Sequence, residues 1–284
     1  MTTYAVTGAT GPFGHHVVET LLARSIAARG IVAIVRTPAR ATDLAARGVD
    51  VRTGDYSQPE TLPSALAGVD TLPLVSGSEV GQRVAQHGAV VGAAKAAGVT
   101  RIVYTSILHA DTTEIVLAPE HKATEELIVS SGLPYSFLRN SWYLENYTGR
   151  LADYLGRGVI ADAAGDGRVS AATRSDFAEA AAAGMLDPSA VGMVYELGGT
   201  PFTMDELAAE ISAAADTDVA HQNLTPVELI AALQGAGLDE GTAGFVAALD
   251  EAAARGDLDT ESDDLARLLG RPATSLRDAV RAAV

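Results

Sequence analysis

Thr3-Tyr4-Ala5-Val6-Thr7-Gly8-Ala9-Thr10-Gly11-Pro12-Phe13-Gly14 is the stretch from which the chain can be read. A short apolar run passes into three glycines spaced three apart, and an apolar-periodic segment follows at Val17, Val18, Leu21 and Leu22. The order is strand, tight turn, helix. Gly8 suits the sharp turn because it takes positive φ without a Cβ penalty. Gly11 lets the backbone approach a phosphate, and Gly14 lets the helix pack closely on the strand. The unpaired N–H groups that open the helix carry its positive dipole end and attract an anion. In this context the glycines point to a dinucleotide phosphate site.

Outward from that stretch, apolar runs alternate with helical patterns. Ile31 to Val35 has no polar residue and fits a strand buried on both faces. Thr37-Pro38 places a proline in the first turn of a following helix. Val49 to Thr53 reads as a third strand, Pro59 to Leu66 as a helix, Val69 to Val75 as a fourth strand, and Val80 to Ala97 as a long helix closed by Gly98. Arg101 to Ser106 forms a fifth strand, 119–131 a helix, and Tyr135 to Arg139 a sixth strand ending at Asn140. Six alternations imply right-handed crossovers in a doubly wound, parallel α/β Rossmann sheet.

The second half is less regular. Helices are expected from Glu145 to Gly156, from Asp176 to Leu186, and from Thr203 through Ala214, where Thr203 and Glu206 have the spacing of a capping box. Arg168 to Ala172 reads as extended, Val219 to Asn223 as a short strand, and the remainder as helical. The division expected is a dinucleotide-binding domain over 1–140 and a smaller, mostly helical substrate region over 141–284. The clear strand at 193–197 is placed to rejoin the main sheet.

Composition narrows the function. The net charge is −16, and it is uneven: residues 1–140 carry 11 Lys+Arg against 12 Asp+Glu, and residues 141–284 carry 9 against 24. The near-neutral half suits an anionic cofactor, and the absence of a basic stripe argues against nucleic acid. Without cysteine there is no thiolate metal site and no disulfide framework. No metal-ligand spacing is visible. Neither a signal peptide nor a membrane span is expected, which suggests a cytoplasmic protein. The oligomeric state is left open, a homo-oligomer included.

Candidate site residues follow from the rule that ligands lie outside the carboxyl ends of the strands. After the second strand stands Arg36, with Arg40 one turn on, where an acidic residue would favour NAD; a guanidinium there can hold a 2′-phosphate and favours NADP. Asp55, closing the third strand, is a candidate for the adenine edge. Ser76, Gly77, Ser78 and Glu79 follow the fourth strand, and Tyr104 lies on the fifth. Asn140, Ser141, Trp142, Tyr143, Leu144 and Glu145 follow the sixth. Trp142 and Tyr143 could wall a nicotinamide or an aromatic substrate. His121, beside Lys122, is read as a surface helix residue and as a candidate proton source.

The stretches Gly8 to Gly14, Ile31 to Arg36, Ser78-Glu79-Val80-Gly81-Gln82-Arg83, Tyr104-Thr105-Ser106, His109 to Thr112 and Leu138-Arg139-Asn140-Ser141-Trp142-Tyr143-Leu144-Glu145-Asn146-Tyr147 closely resemble the type 2 NADPH:quinone oxidoreductases. These belong to the NmrA-like branch of the atypical short-chain dehydrogenase/reductases. The resemblance extends over Ala163 to Gly167 and Ala172 to Arg174 to the C-terminus. It implies NADPH along Gly8 to Phe13, Arg36 at the 2′-phosphate, Ser76 to Glu79 along the ribose, and Asn140 to Glu145 at the nicotinamide end. It also implies quinone reduction by direct hydride transfer without a flavin. The residues themselves offer Tyr104, His121 and Asn140 as candidate catalytic groups and Trp142, Tyr143 and His121 at the substrate. One departure stands out: the wider superfamily's Tyr-x-x-x-Lys pair is missing, since Leu108 stands four residues past Tyr104. Two other readings stay open, a non-catalytic NADP(H)-sensing regulator and an NADPH-dependent carbonyl or alkene reductase.

Overall fold

The computed structural model describes residues 2–284. It forms two compact units. The first comprises Met1–Ala110, Pro119–Asn140 and Arg174–Tyr195; the second comprises Asp111–Ala118, Ser141–Thr173 and Glu196–Val284. One boundary falls at Asn140, and the first unit then takes back a segment from beyond it.

In the first unit, β1 (Tyr4–Thr7), α1 (Pro12–Ala23), β2 (Ile31–Val35), α2 (Thr42–Ala46), β3 (Asp50–Thr53), α3 (Leu62–Ala65), β4 (Thr71–Leu74), α4 (Arg83–Ala97), β5 (Arg101–Ile107), α5 (Ala118–Ser131) and β6 (Tyr135–Asn140) alternate as the sequence implies. The strands are parallel, in the order β3-β2-β1-β4-β5-β6. Both β2 and β5 are buried along their whole length, and β2 is apolar throughout, because both sheet faces are covered.

Alternation along each strand sorts the side chains by face. Ala5, Val32, Ile34, Leu72, Leu74, Ile102, Tyr104 and Phe137 pack with Leu62 and Ala65 of α3, Val90, Val91 and Ala94 of α4, and Ile128 of α5. On the other face, Leu138 packs against Gly184 of a later helix, which itself packs along α1.

Three helices begin later or break earlier than their sequence patterns suggest. The segment after Thr37 is a 3-10 turn, Pro38–Arg40, before α2 begins at Thr42. Residues 59–66 divide into a 3-10 turn and the short α3. The long helix starts at Arg83 rather than Val80, because Gly81 sits at φ +85°, outside helical space.

The second unit contains α6 (Glu145–Thr148), α7 (Leu151–Arg157) and β7 (Val159–Asp162), so the helix expected from Glu145 to Gly156 is broken at Gly149-Arg150. Next, α8 (Arg174–Leu186) returns to the first unit, where its buried alanines allow close approach to α1. The strand β8 (Val194–Leu197) is the seventh in the main sheet and lies beside β6, as its sequence position suggests. Then come α9 (Met204–Ala215), β9 (Ala220–Asn223), α10 (Pro226–Gly235), α11 (Glu240–Ala254), α12 (Asp264–Leu269) and α13 (Leu276–Ala283). The Thr203–Glu206 capping box is formed in both directions, and β9 pairs in parallel with β7. No helix among the described residues is long and apolar enough to cross a membrane.

Candidate functional site

The sheet order reverses between β1 and β4, the place where open parallel sheets leave a crevice at their carboxyl ends. Here the crevice has a particular local cause. Pro73 lies in β4 and has no N–H to give the ladder. The Thr7 side chain takes over the pairing: its hydroxyl donates to Pro73 C=O at 3.0 Å and accepts from Val75 N–H at 2.9 Å.

A cleft of about 450 Å³ opens over this point. Its lining includes Gly8, Thr10, Gly11, Pro12, Phe13 and Gly14 after β1, Arg36 and Arg40 after β2, Asp55, Tyr56 and Ser57 after β3, and Ser76 to Glu79 with Gln86 after β4. The glycine turn is built as a close cradle. Gly8 has φ +60°, and a Cβ on Gly14 would stand 2.4 Å from Gly8 O. Ala9 shapes the turn rather than offering a donor, because its N–H already bonds Ile34 C=O at 3.3 Å. Pro12 opens α1 at a position whose N–H would be unpaired in any case.

At one end of the cleft, Arg36 is exposed and 3.8 Å from Glu79, a loose surface pair that leaves the guanidinium available to an anion. Asp55 closes an Asx turn, accepting Ser57 N–H at 2.9 Å, while facing the cleft. Gln86 ties two loops together: its Nε2 donates to Glu79 Oε2 at 2.8 Å and to Ser57 Oγ at 3.1 Å.

The Ser76–Gly81 segment is held from beneath. Ser76 N–H donates to Thr105 Oγ1 at 2.8 Å, and Gly77 N–H donates to His87 Nε2 at 3.0 Å. Arg83 Nε donates to Gly77 C=O at 2.6 Å, and Gly81 N–H donates to Glu120 Oε1 at 2.9 Å. His87 is fully buried, and burial holds it neutral by lowering its pKa to about 4, with the nearby Arg83 charge acting the same way. Accepting at Nε2 fixes its tautomer. Its Nδ1–H then points to Thr124 Oγ1, 3.0 Å away, whose hydroxyl donates to Glu120 C=O.

Two sequence expectations change here. His121 is not on the surface: it is 5% exposed, and its Nδ1 shares a hydrogen bond with Tyr104 Oη at 2.8 Å. Burial, with the Arg83 charge second, lowers its pKa to about 3, so it carries no proton to give near neutral pH. Tyr104 is wholly buried in the core on α4's side of the sheet, and burial raises its pKa far above the usual phenol. Neither side chain lines the cleft. The pair is a packed hydrogen-bonded element, which agrees with the missing Tyr-x-x-x-Lys pattern.

The third expected catalytic group is different. Asn140, 4% exposed at the end of β6, has neither its amide oxygen nor its amide nitrogen paired. Ser106 Oγ, one position before the partner of Asn140 in β5, is likewise unpaired. Buried polar groups without partners are costly and uncommon, and these two stand at adjacent strand ends.

In the second unit, Ser141 is committed to structure: its N–H bonds Leu197 C=O at 2.8 Å and its hydroxyl bonds Leu258 C=O at 2.9 Å. Tyr143 bridges to Ala172, Leu144 is buried, and Glu145 opens α6. Trp142 lines a cavity of about 180 Å³ together with Tyr147, Tyr154, Leu229, Leu233 and Asp250. Tyr143 does not line it. The spacing of Trp142 signalled an aromatic wall, but its partners from α6, α7, α10 and α11 follow no readable interval.

A glycine turn at a sheet switch point, two arginines at one end of the cleft and a second aromatic cavity are the parts of a nucleotide-cofactor protein. Residues 8–188 match the NAD(P)H-binding family model. Quinone oxidoreductase 2 of Escherichia coli K12 is 47% identical over 277 residues, covering 97% of this chain and 96% of that protein. A crystal structure of the NADPH-dependent quinone oxidoreductase of Escherichia coli, complexed with NADPH, superposes with a TM-score of 0.94 and covers 98% of both chains. The Citrobacter sp. triphenylmethane reductase complexed with NADP(H) gives 0.94 at 39% identity, covering 99% of this chain and 100% of that one. The chain belongs to the NAD(P)H-binding family.

Proposed function

We propose that the protein is an NADPH-dependent oxidoreductase that reduces quinones by direct hydride transfer, without a flavin. The observation that carries this is the cleft at the β1/β4 switch point, with Arg36 and Arg40 at one end, in a chain 47% identical throughout to a quinone oxidoreductase. Neither the regulator reading nor a carbonyl or alkene reductase is favoured by these likenesses.

The residues fit the cofactor. Arg36, with Arg40 beside it, would hold the 2′-phosphate by charge-assisted hydrogen bonds. The Gly8–Gly14 turn and the first turn of α1 would take the pyrophosphate, for which the close backbone and the helix dipole are suited. Asp55 and Tyr56 would border the adenine, and Ser76 to Glu79 the ribose side. The unpaired amide of Asn140 and hydroxyl of Ser106 match the carboxamide end of the cofactor in hydrogen-bonding character. Bound NADPH supplies the hydride. Trp142 and Tyr143, which follow Asn140 and Ser141 in the chain, would border the quinone, since flat aromatic faces suit a flat substrate.

Steady-state assays with NADPH and with NADH, against benzoquinone and menadione, test the reading. Turnover with a clear NADPH preference is expected, and Arg36→Glu should raise KM for NADPH by about 10- to 100-fold while sparing NADH, the size of one lost charge-assisted contact. Equal loss with both cofactors would remove Arg36 from the 2′-phosphate, and absence of turnover would remove the enzyme assignment.

A further inference from the structure

Dinucleotide sites that take NAD place an acidic side chain at the end of the second strand, where it accepts a ribose hydroxyl. Here that place belongs to Arg36. A carboxylate nonetheless reaches the same end of the cleft from a different loop. Glu79, after β4, lines the cleft with Arg36, and its Oε1 stands 3.8 Å from Arg36 Nη1. Both residues belong to the first unit.

Glu79 is held in this position. Its Oε2 accepts one hydrogen of Gln86 Nε2 at 2.8 Å, and the other hydrogen of that nitrogen goes to Ser57 Oγ at 3.1 Å. Gln86 is buried on α4, and because a carboxylate only accepts, the amide must present its nitrogen to Glu79. With Oε2 committed to Gln86, Glu79 cannot form a two-pronged pair with the guanidinium. The distance from Oε1 to Arg36 is an ion pair, too long for a hydrogen bond, so Oε1 has no hydrogen-bond partner among the described residues. The side chains of Arg36 and Glu79 are 71% and 51% exposed, and a ligand in the cleft can reach both.

A 2′-phosphate and a 2′-hydroxyl meet this pair in opposite ways. The phosphate carries roughly 1.5 to 2 negative charges, so Arg36 attracts it and Glu79 repels it. The hydroxyl can donate a hydrogen bond, and Oε1 is an acceptor with nothing else to accept. The two side chains stand well inside the ~8 Å screening length of physiological salt, so both charges act on the same substituent.

We propose that Glu79 is a specificity-determining residue of the cofactor site. It accepts the 2′-hydroxyl of NADH, opposes the 2′-phosphate of NADPH, and so limits the preference that Arg36 creates. Gln86 is its positioning residue, because it keeps the carboxylate from closing fully onto Arg36. The proposal rests on the 2′-phosphate lying at Arg36 and makes no use of the quinone.

Fluorescence titrations with NADPH and NADH, without substrate, compare the wild type with Glu79→Gln. Glutamine matches the carboxylate in shape, and its amide oxygen still accepts from Gln86, so the loop keeps its form; circular dichroism and thermal melts verify this. NADPH should bind about threefold more tightly and NADH about threefold more weakly, the size of one exposed ion pair and one hydrogen bond. The preference then moves about tenfold towards NADPH. Adenosine 2′,5′-bisphosphate and AMP, which carry no nicotinamide, should reproduce both shifts, since the discrimination lies at the adenosine end. An unchanged ratio, equal loss of both cofactors, or a shift absent from the two fragments would each overturn the proposal. Arg36→Gln separates it from the placement beneath it. If that variant leaves NADPH affinity untouched, the 2′-phosphate does not lie at Arg36, and the proposal falls with that placement. If it weakens NADPH while Glu79→Gln leaves the ratio unchanged, the placement stands and the role of Glu79 falls.

Discussion

The backbone N–H of Gly77 donates to Nε2 of His87 across 3.0 Å, so a loop that lines the cofactor cleft is set by an imidazole from the helix that follows it. The bond requires His87 to be neutral, and its burial keeps it so. Replacing His87 with Leu orphans the Gly77 N–H. An unsatisfied buried donor costs about 1–3 kcal/mol. With the loop released, NADPH should bind about 10-fold more weakly in a fluorescence titration, while kcat at saturating NADPH stays near wild type. His87→Gln, which offers another acceptor, should recover part of the affinity.

The same histidine makes stability depend on pH. A histidine whose pKa is depressed on folding, from 6.5 to about 4, holds fewer protons when folded than when unfolded anywhere between those values. Its stabilisation is complete above about pH 6.5 and is lost as pH falls towards 4. The size is on the order of 3 kcal/mol for a shift of this kind. His121, depressed to about 3, extends the loss further down. Urea midpoints measured from pH 7 to pH 4 should fall steadily, and the His87→Gln/His121→Gln pair should flatten that fall.

Gly14 and Gly11 both lie in the turn, but they tolerate different changes. An added Cβ meets Gly8 O at 2.4 Å from Gly14 and at 3.2 Å from Gly11. The first clash is with backbone and cannot be relieved by a rotamer. Gly14→Ala should therefore cost about 1–3 kcal/mol, the range for overpacking, and greatly weaken cofactor binding. Gly11→Ala should cost a fraction of that. Thermal melts with and without NADPH distinguish the two.

The Asn140 amide is buried with no hydrogen-bond partner among the described residues, so replacing it with Leu removes a desolvation penalty of about 1–3 kcal/mol. Asn140→Leu should melt at or above the wild-type temperature and lose most of its quinone turnover. A lower melting temperature would mean that the amide serves the fold.

Much of the sheet was legible because strands buried on both faces read as apolar runs, most plainly at Ile31–Val35. The glycine turn and the two arginines were legible for a related reason: each residue type is dictated by backbone geometry or charge at a fixed distance from its strand. His87 and Gln86 were not legible. His87 sits in an alanine- and valine-rich helix and meets Gly77 only after the chain has turned back. Gln86 stands beside it and meets Ser57, 29 residues away. His121 misled because a His-Lys pair looks like solvated surface, and only the fold shows that Tyr104 stands beneath it. The start of α4 was misplaced because helix-forming residues continue through Gly81, whose backbone conformation is not helical.

The return of α8 and β8 bears on how the molecule is made. Ser136 Oγ bonds Ala190 C=O at 2.5 Å, and Arg101, almost fully buried, reaches Gly184 C=O at 2.8 Å and Asp187 C=O at 2.9 Å. A nascent chain that has emerged only as far as Asn140 has none of these partners. Its Arg101 guanidinium keeps Ser136 Oγ but lacks both carbonyl partners, β6 has a bare edge, and α1 is without its neighbour. The nucleotide-binding half is therefore complete only once synthesis has passed residue 195. During that interval β6 is an open strand edge of the kind that invites pairing with another chain.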